Sequence, residues 1–348
     1  MEQLTVNASK NYEILIGHGT RSLLPEKLNA LFGSVKVCVV SDSNVAPLHL
    51  NNALKALQTQ GFSVENFVFP AGEQSKTPET LFTLLEFLAE RHFSRKDVLV
   101  ALGGGVTGDL TGLASALFMR GMRLVQMPTS LLAMVDSSVG GKTAVDLKAG
   151  KNLAGVFCQP DLVLCDLDYL DTLPARDFAD GMAEVIKYGV IADEALFDAV
   201  KDGDVRSELE EIVTACVRIK RDVVNEDEFD TGKRALLNFG HTLAHAIEKK
   251  SDYQISHGAA VAMGMVAICA VADTHGFSDV LTLPAVKEAV ENNRLDSKLP
   301  YPLPTLYDAT VGDKKRSGDS ITLVLPAQIG HCRLKTVSLA KWKELLGA

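Results

Sequence analysis

Short runs of β-branched residues alternate with helical segments throughout the first half of the chain, and this alternation restricts the possible folds more than any other feature. Strands that alternate with helices form βαβ units, which build a mostly parallel sheet and place ligands at the carboxyl ends of the strands. The predicted strands are residues 35–40, 64–69, 98–102 and 124–127, and the predicted helices are 46–60, 78–91 and 106–119.

From about residue 173 the pattern changes to helical periodicity, at 177–191, 205–224, 234–249 and 284–293, with one predicted strand at 321–325. The apolar stretch 259–272 is too short to span a bilayer and consists mainly of Ala, Val, Met and Gly. It indicates a buried helix that packs closely against its neighbours. We therefore predict an α/β domain at 1–171 and a mainly α-helical domain at 172–348.

Composition restricts the partners of the chain. Its 348 residues include 35 Lys and Arg against 44 Asp and Glu, a formal charge of −9. An acidic chain lacks the basic footprint of a nucleic-acid-binding protein, so any anionic ligand must be held by a local cluster of cations. The six cysteines are scattered without a Cys-x-x-Cys pair and indicate core residues in a reducing compartment. The N-terminus has no signal-peptide pattern, so we expect a cytoplasmic protein without a membrane partner.

A glycine-rich segment, GGGVTGD at 103–109, lies between a predicted strand and a predicted helix. Glycines in such a turn let the backbone approach a pyrophosphate, and the helix N-terminus supplies amide donors. The motif follows a third or fourth strand rather than the first, and no acidic residue ends a strand some 20 residues later. A tight strand–helix turn without a ligand is the alternative interpretation.

A second segment, SSVGGKT at 137–143, is followed by Lys148, Lys151 and Asn152. Its end resembles a Walker A motif, but Asp136 occupies the place of the first glycine, which disfavours a P-loop NTPase. The segment instead predicts a lysine-lined loop for a phosphate or a carboxylate. A solvated basic loop is the alternative.

Histidines are concentrated in the second half. His241 and His245 are four residues apart and share one face of a helix, and His257 follows. Gly240 and Ser256 mark the predicted helix starts. Imidazoles can bind a divalent metal, which needs a third protein ligand, and Glu184 is a candidate. Spacing alone does not decide which two histidines bind, and hydrogen-bonded surface histidines remain the alternative.

Arg234, Asn238, His241 and His245 are spaced by four, three and four residues, which predicts one polar stripe on a single helix. A hydrophobic core would not select a guanidinium, an amide and two imidazoles, so the stripe favours a functional surface. Further cations stand at Lys220, Arg221 and in the segment DKKR at 313–316, although most charge runs are solvated faces.

In combination these segments resemble the 3-dehydroquinate synthase family of sugar-phosphate cyclases over nearly the whole chain. The matching segments are residues 41–45, 72–76, 103–109, 119–121, 128–143, 150–152, 181–184, 236–241 and 313–315. The resemblance implies a Rossmann-like NAD-binding domain, a helical metal-binding domain, a homodimer and an active site in the cleft between the domains. The family metal is zinc or cobalt, and its ligands would be Glu184, His241 and His257.

The resemblance also assigns residues to the cofactor and to an anionic sugar-acid phosphate. NAD would contact Asp42, Asn44, Gly72, Glu73, Lys76, Gly104, Gly105, Val106, Thr107, Gly108, Asp109, Thr129, Ser130, Lys142, Lys151, Tyr169, Leu170, Asp171 and Thr172. The substrate phosphate would meet Lys142, Asn152, Lys314 or Lys315, and Arg120 of a second subunit. The carboxylate and hydroxyls would meet Asp136, Lys187, Lys220, Arg234, Asn238 and His245.

The implied reaction converts 3-deoxy-D-arabino-heptulosonate 7-phosphate to 3-dehydroquinate and phosphate, in the shikimate pathway. NAD transiently oxidises the substrate, phosphate leaves by β-elimination, hydride returns, the ring opens and an aldol step closes the carbocycle. The substrate's own phosphate would act as the base, and His245 would handle protons or stabilise an oxyanion.

One departure concerns Ala259, because family members usually carry Glu after His257-Gly258. If that carboxylate supports the metal ligands, its loss lowers metal affinity rather than changing the reaction. The nearest alternative function is a sister cyclase, of the 2-deoxy-scyllo-inosose or valiolone type. Those relatives tend to alter the residues equivalent to Asn238 and His245, and both are present here. A polyol dehydrogenase and a non-catalytic NAD-binding protein are more remote alternatives.

Overall fold

The computed structural model describes residues 1–311 and 318–348. The chain divides into two compact units: unit 1 comprises Met1–Pro174 and Lys220–Phe229, and unit 2 comprises Ala175–Ile219 and Asp230–Ala348. The predicted boundary between residues 171 and 172 assigns Lys220–Phe229 to the second domain, whereas these residues group with unit 1 in the structure. Sequence periodicity could not reveal that grouping, because it depends on contacts between segments that are distant in the chain.

Unit 1 is built on a seven-stranded sheet, with a separate two-stranded hairpin. Its strands are β1 Glu2–Val6, β2 Tyr12–Gly17, β3 Lys36–Asp42, β4 Ser63–Phe69, β5 Val98–Gly103, β6 Arg123–Pro128, β7 Lys142–Leu147, β8 Gly150–Phe157 and β9 Leu162–Asp166. The sheet order is β1-β2-β9-β6-β5-β3-β4, and every neighbouring pair is parallel except β1 and β2. The predicted Rossmann-like parallel sheet is confirmed.

The helices of unit 1 are α1 Leu24–Phe32, α2 Asn51–Thr59, α3 Pro78–Glu90 and α4 Gly105–Leu117. Thr77 caps α3, because its side-chain oxygen accepts a hydrogen bond from the backbone N–H of Thr80 at 3.3 Å, and Pro78 occupies the first helical position. Leu84 of α3 and Leu110 of α4 are buried with Leu99 of β5 in one apolar core. This core fixes α4 against the sheet and so fixes the glycine-rich turn that precedes it.

The segment expected to be a lysine-lined loop is largely a β-hairpin. β7 and β8 pair antiparallel, with Lys142 opposite Phe157, and the pairing is irregular between Val145 and Leu147. Lys142 therefore begins a strand, whereas a P-loop lysine begins a helix. This geometry agrees with the exclusion of a P-loop NTPase, although the hairpin itself was not predicted.

Unit 2 is mainly helical, as predicted. Its elements are α5 Ala175–Ala192, α6 Glu194–Val200, the first part of α7 Leu209–Glu226, α8 His241–Lys250, α9 His257–Thr274, α10 Leu283–Asn292, α11 Tyr307–Val311, β10 Ser320–Gln328, β11 His331–Ser338 and α12 Leu339–Leu345. The strand predicted at 321–325 lies within β10, which pairs antiparallel with β11.

Small residues bring three helices of unit 2 into close contact. A Cβ added to Gly258 of α9 would lie 2.2 Å from the carbonyl oxygen of Asp180 on α5. A Cβ added to Gly264 of α9 would lie 2.3 Å from the carbonyl oxygen of Gly240, which precedes α8. Because no side chain fits at these two positions, α9 packs backbone to backbone against α5 and α8.

Helix α9 is the one helix among the described residues that is long and apolar enough to cross a membrane. Most of it is buried against the rest of the protein, with 72% of its apolar window inside. Burial of this kind is typical of a core helix. The structure thus agrees with the prediction of a buried helix made for residues 259–272.

Candidate functional site

The glycine-rich segment forms the predicted strand–turn–helix in unit 1. β5 ends at Gly103, Gly104 is extended, and α4 begins at Gly105. A Cβ added to Gly103 would lie 2.3 Å from Oγ1 of Thr107, so a side chain is sterically excluded. Bare backbone followed by a helix N-terminus provides amide donors and a positive dipole end, which suits an anionic group.

Asp42 and Thr107 join the end of β3 to the start of α4. Oγ1 of Thr107 donates to Oδ2 of Asp42 at 3.2 Å. Oδ1 of Asp42 accepts the backbone N–H of Asn44 at 2.9 Å and that of Val45 at 3.1 Å. Thr129, at the end of β6, donates its backbone N–H to the carbonyl of Gly103 at 2.9 Å. The carboxyl ends of β3, β5 and β6 thus gather several of the predicted cofactor residues.

A buried lysine organises the neighbouring polar residues. Nζ of Lys76 lies 2.6 Å from Oδ2 of Asp109 and donates to Oδ1 of Asn152 at 2.6 Å. Burial lowers the pKa of Lys76, but the carboxylates of Asp109 and Glu73 outweigh it, so the pKa is raised. Lys151 lies 3.6 Å from Glu73 in a second ion pair. Lys76 therefore stays charged and links predicted cofactor residues to the predicted phosphate ligand Asn152.

Lys220 contacts Asp136 within unit 1. Its Nζ lies 3.0 Å from Oδ1 of Asp136 and also donates to the Asp136 carbonyl. Lys220 is buried, and it lies in the part of α7 that groups with unit 1. Two residues predicted to bind the substrate are thus brought together, although they are far apart in sequence.

The segment Leu167–Thr172 carries the last group of predicted cofactor residues. Oγ1 of Thr172 lies 2.8 Å from Nε2 of His49, and the His49 ring meets the Tyr169 ring edge-on at 4.7 Å between centroids. Tyr169 and Leu170 are buried, whereas Asp171 and Thr172 are exposed. Sequence reasoning missed His49, because nothing in the local pattern around it indicates a contact with residues 169–172.

The other predicted residues of unit 1 are spread over its loops and strands. Arg120 is exposed and has a left-handed backbone, as does Met119 before it. Lys142 is exposed at the start of β7, and Ser130 accepts the backbone N–H of Ala133 at 3.3 Å. Gly72 has a positive φ of 107° just before Glu73. Lys314 and Lys315 lie outside the described residues.

In unit 2, Glu184, His241 and His257 converge. Nε2 of His257 lies 3.3 Å from Oε1 of Glu184, and Nε2 of His241 lies 3.5 Å from the same oxygen. Each of the three residues offers one possible ligand atom, and these three atoms all lie within 4.8 Å of one another. Glu184 is buried at 1% exposure on α5, and His241 and His257 begin α8 and α9. The close packing of α9 against α5 and α8 brings the three side chains together.

The remaining ring nitrogens of the two histidines face oxygen acceptors. Nδ1 of His241 lies 3.1 Å from the carbonyl oxygen of Phe239. Nδ1 of His257 lies 3.4 Å from Oε2 of Glu248, which is buried on α8. An acceptor at Nδ1 holds a proton on that nitrogen, so Nε2 is the nitrogen that would bind a metal. Sequence reasoning missed Glu248, although its position seven residues after His241, on the same helical face, was an available signal.

Electrostatics in this cluster favour a cation. Burial raises the pKa of Glu184, but Lys187, whose Nζ lies 2.5 Å from Oε2, and the two histidines outweigh it and hold the pKa well below its usual range. Burial lowers the pKa of His257, but hydrogen bonds to Glu184 and Glu248 raise it to about 10. The carboxylate is thus ionised, and Lys187 supplies positive charge that its burial requires.

The predicted polar stripe on one helix is wrong. Residues Lys233–Asn238 form a 3-10 helix, and α8 begins only at His241. Gly240 has φ +77°, and a Cβ there would lie 2.7 Å from Cγ of Met265 on α9. The chain turns at Gly240 because α9 packs so closely, although Gly240 and Ser256 do precede helix starts as predicted. Arg234 is buried, whereas Asn238 and His245 are exposed.

His245 belongs to the same helix as His241 but not to the three-residue cluster. Its ring centroid lies 5.6 Å from that of His241 and 6.4 Å from that of His257. Two imidazole nitrogens and one carboxylate oxygen match a catalytic zinc-type site, which keeps an open position beside three protein ligands. The residues present therefore fit a divalent metal such as zinc or cobalt.

Comparison with known proteins identifies the family of this chain. A family model described as 3-dehydroquinate synthase N-terminal matches residues 66–180, and one described as 3-dehydroquinate synthase C-terminal matches residues 181–316. A 3-dehydroquinate synthase from Streptococcus mutans is 40% identical, with 99% of each chain covered.

Two solved structures are similar over 99% of this chain at 25% identity. One is 2-deoxy-scyllo-inosose synthase complexed with carbaglucose-6-phosphate, NAD+ and Co2+, with a TM-score of 0.89 and 99% of that chain covered. The other is the 2-epi-5-epi-valiolone synthase ValA from Streptomyces hygroscopicus with NAD+ and Zn2+, with a TM-score of 0.86 and 98% covered.

The α/β unit with its glycine-rich turn, together with the helical unit that holds two histidines and a glutamate, has the fold of the sugar-phosphate cyclases. Within that class, the chain belongs to the 3-dehydroquinate synthase family.

Proposed function

We propose that this protein is a lyase that converts 3-deoxy-D-arabino-heptulosonate 7-phosphate to 3-dehydroquinate and phosphate. The observation that carries this proposal is the cluster of Glu184, His241 and His257, found in a chain 40% identical to a 3-dehydroquinate synthase over nearly its full length. This activity belongs to the shikimate pathway of aromatic amino-acid biosynthesis.

The cofactors are NAD and one divalent metal, zinc or cobalt. When bound, NAD supplies a reversible hydride acceptor and the metal polarises a substrate oxygen. Glu184, His241 and His257 would hold the metal. The NAD-binding residues would be those gathered in unit 1, with the amides at the start of α4 facing the pyrophosphate and Asp42, Lys76 and Asp109 around it.

The substrate is a sugar acid with a phosphate, and its negative charges suit the buried cations of an acidic protein. Lys187, Lys220 and Arg234 are almost fully buried, and Lys187 and Lys220 are paired with Glu184 and Asp136. We assign these three to the carboxylate and hydroxyls of the substrate, together with Asp136 and Asn238. Lys142, Asn152 and Lys314 are assigned to its phosphate.

His245 is assigned to proton handling. It stands one turn from His241 on α8, outside the cluster, and a neutral imidazole can both accept and donate a proton near neutral pH. His245 and Asn238 are also the residues whose equivalents sister cyclases tend to alter. Their presence supports a heptulosonate phosphate as the substrate over the sugars of the sister enzymes.

The assembly proposed is a homodimer in the cytoplasm, without a nucleic-acid or membrane partner. Exposed Leu117 and Met119 stand beside Arg120, whose left-handed backbone holds a basic side chain on the surface of unit 1. Exposed apolar residues beside a strained basic residue suit a contact with a second subunit. Arg120 would reach the substrate phosphate of the neighbouring subunit.

The test is release of inorganic phosphate from the heptulosonate phosphate by the purified, metal-loaded protein, with and without NAD. We expect NAD-dependent release without accumulation of absorbance at 340 nm, because the hydride returns within each turnover. Accumulation of absorbance at 340 nm would instead indicate a dehydrogenase.

The same assay distinguishes the sister cyclases. Glucose 6-phosphate and sedoheptulose 7-phosphate are tested in parallel with the heptulosonate phosphate. Turnover of either one in its place would overturn the proposed substrate while keeping the class.

A further inference from the structure

The carboxylate of Glu248 is buried in unit 2 without being part of the three-residue cluster. It is 2% exposed on α8, and its Oε2 lies 3.4 Å from Nδ1 of His257. A carboxylate is removed from water at a large cost unless a partner compensates it. Its position against the outer ring nitrogen of His257 therefore needs an explanation.

The backbone around Glu248 fixes this contact. The Glu248 carbonyl accepts the backbone N–H of Tyr253 at 2.8 Å and the hydroxyl of Ser251 at 2.9 Å. These bonds close the connection between α8 and α9, and α9 then begins at His257. Because the turn is anchored on Glu248 itself, the acid and the imidazole are held in register.

The two ring nitrogens of His257 have different partners. Nε2 faces Glu184 at 3.3 Å and Nδ1 faces Glu248 at 3.4 Å. In His241 the corresponding Nδ1 contact is the neutral carbonyl of Phe239. Only His257 thus faces a charged acceptor on its outer side, among the two histidines of the cluster. A carboxylate there fixes the ring tautomer and makes Nε2 a stronger ligand.

Ala259 cannot take this role. It lines a cavity of about 440 Å³ in unit 2 together with Asp180 and Met263, and its methyl group offers no hydrogen-bond acceptor. We propose that Glu248 is a positioning residue for His257, which orients the imidazole and strengthens metal binding where the residue after Gly258 supplies no carboxylate. This proposal rests on the metal site of the proposed function.

The experiment measures the affinity of the metal-free protein for Zn2+ by competition with a chromophoric chelator. We expect Glu248→Gln to lower affinity about tenfold or more, because a neutral amide still accepts the Nδ1 proton but no longer adds charge to the ring. The visible spectrum of the Co2+ form should also change. Glu248→Asp keeps the charge on a shorter side chain, and we expect it to fall between Glu248→Gln and the wild type.

Asp273→Asn is the matched control. Asp273 lies on the same helix as His257, and its carboxylate accepts the backbone N–H groups of Thr282 and Leu283 at 3.0 and 2.8 Å. We expect this variant to unfold at a lower temperature with unchanged Zn2+ affinity, which separates a general loss of stability from a loss of positioning.

The outcomes distinguish the two proposals. If His257→Ala loses metal and Glu248→Gln binds it as tightly as the wild type, the positioning role of Glu248 is overturned and the metal site stands. If His257→Ala itself binds metal like the wild type, the metal site fails and the role of Glu248 fails with it. If Glu248→Gln does not fold, wild-type affinity in Glu248→Asp with an unchanged Co2+ spectrum overturns the role.

Discussion

Nε2 of His257 lies 3.3 Å from Oε1 of Glu184, although α5 and α9 are separated by more than 60 residues of sequence. The contact depends on Gly258, which lets α9 approach α5 at the level of Asp180, one helical turn before Glu184. The position of this candidate metal-ligand pair is thus set by backbone packing rather than by local sequence.

We expect His257→Ala to lose metal retention and turnover while the protein remains folded, because two ligands hold a divalent ion much less tightly than three. Metal content after dialysis and phosphate release are the measurements. His275→Ala, at the exposed end of the same helix, is the control and should retain both. Wild-type metal content in His257→Ala would contradict the ligand assignment.

Gly258→Ala should destabilise the protein by roughly 1–3 kcal/mol or more, because the added methyl would overlap the backbone carbonyl of Asp180 and push α9 away from α5. Metal affinity should fall at the same time. Chemical denaturation and chelator competition measure the two effects. Ala259→Ser is the control, because it changes the adjacent residue at the edge of a cavity and should have little effect on stability. Gly276→Ala is unsuitable as a control, because the φ of +67° at Gly276 would strain an alanine there. A fully stable Gly258→Ala protein would contradict the packing argument.

Lys76→Met should destabilise the protein by on the order of 3 kcal/mol, because it leaves the carboxylate of Asp109 without its cation. NAD binding should also weaken, since Lys76 and Asp109 are both assigned to the cofactor and Asp109 loses the group that positions it. Urea denaturation and a fluorescence titration with NAD are the measurements. Lys55→Met, on the exposed face of α2, serves as the control. If Lys76→Met binds NAD as the wild type does, Lys76 is not part of the cofactor site.

Arg120→Ala should lose activity that the neighbouring subunit can restore. In a symmetric dimer, mixing equal amounts of Arg120→Ala and His257→Ala subunits gives one complete site in each mixed dimer, or about a quarter of wild-type activity overall. Subunits are unfolded and refolded together, and phosphate release is compared with each variant refolded alone. No recovery on mixing would count against a residue shared between subunits.

Cys158 should be alkylated first when the folded protein is treated with iodoacetamide near pH 8. The six cysteines are all among the described residues and form no disulfide, and Cys158 alone is not buried. Burial raises the pKa of Cys38, Cys165 and Cys269 to about 12, so almost none of these thiols ionises near pH 8. Peptide mapping after brief labelling identifies the modified site. Equal labelling of Cys269 in the folded state would contradict this burial.

Several structural features were predictable because they depend on neighbours in sequence. The strand–helix alternation predicted the parallel sheet. Thr77 and Pro78 predicted the start of α3, and the Ala, Val, Met and Gly content of 259–272 predicted a buried helix. The resemblance to a family named the residues of the Glu184 cluster. The roles assigned to individual side chains in binding NAD and substrate stay predictions.

Other features were not predictable from the same patterns. The helix expected over 234–249 is interrupted at Gly240, where Met265 of α9 packs against the chain. The spacing of residues along one helix carries no information about that contact. The β7–β8 hairpin and the contacts of His49 also lack a local signal.

The sequence by itself determined the class of fold and the chemical groups that the protein can use, since these follow from residue types and their periodicity. Its matching segments, taken in order, indicated the family by resemblance. Only the tertiary structure decided how those groups meet. Glu184, His241 and His257 lie on three helices, and Glu248 reaches His257 across a turn. Distances between side chains on separate helices depend on how closely the backbones pack, and glycines at 240, 258 and 264 set that closeness here.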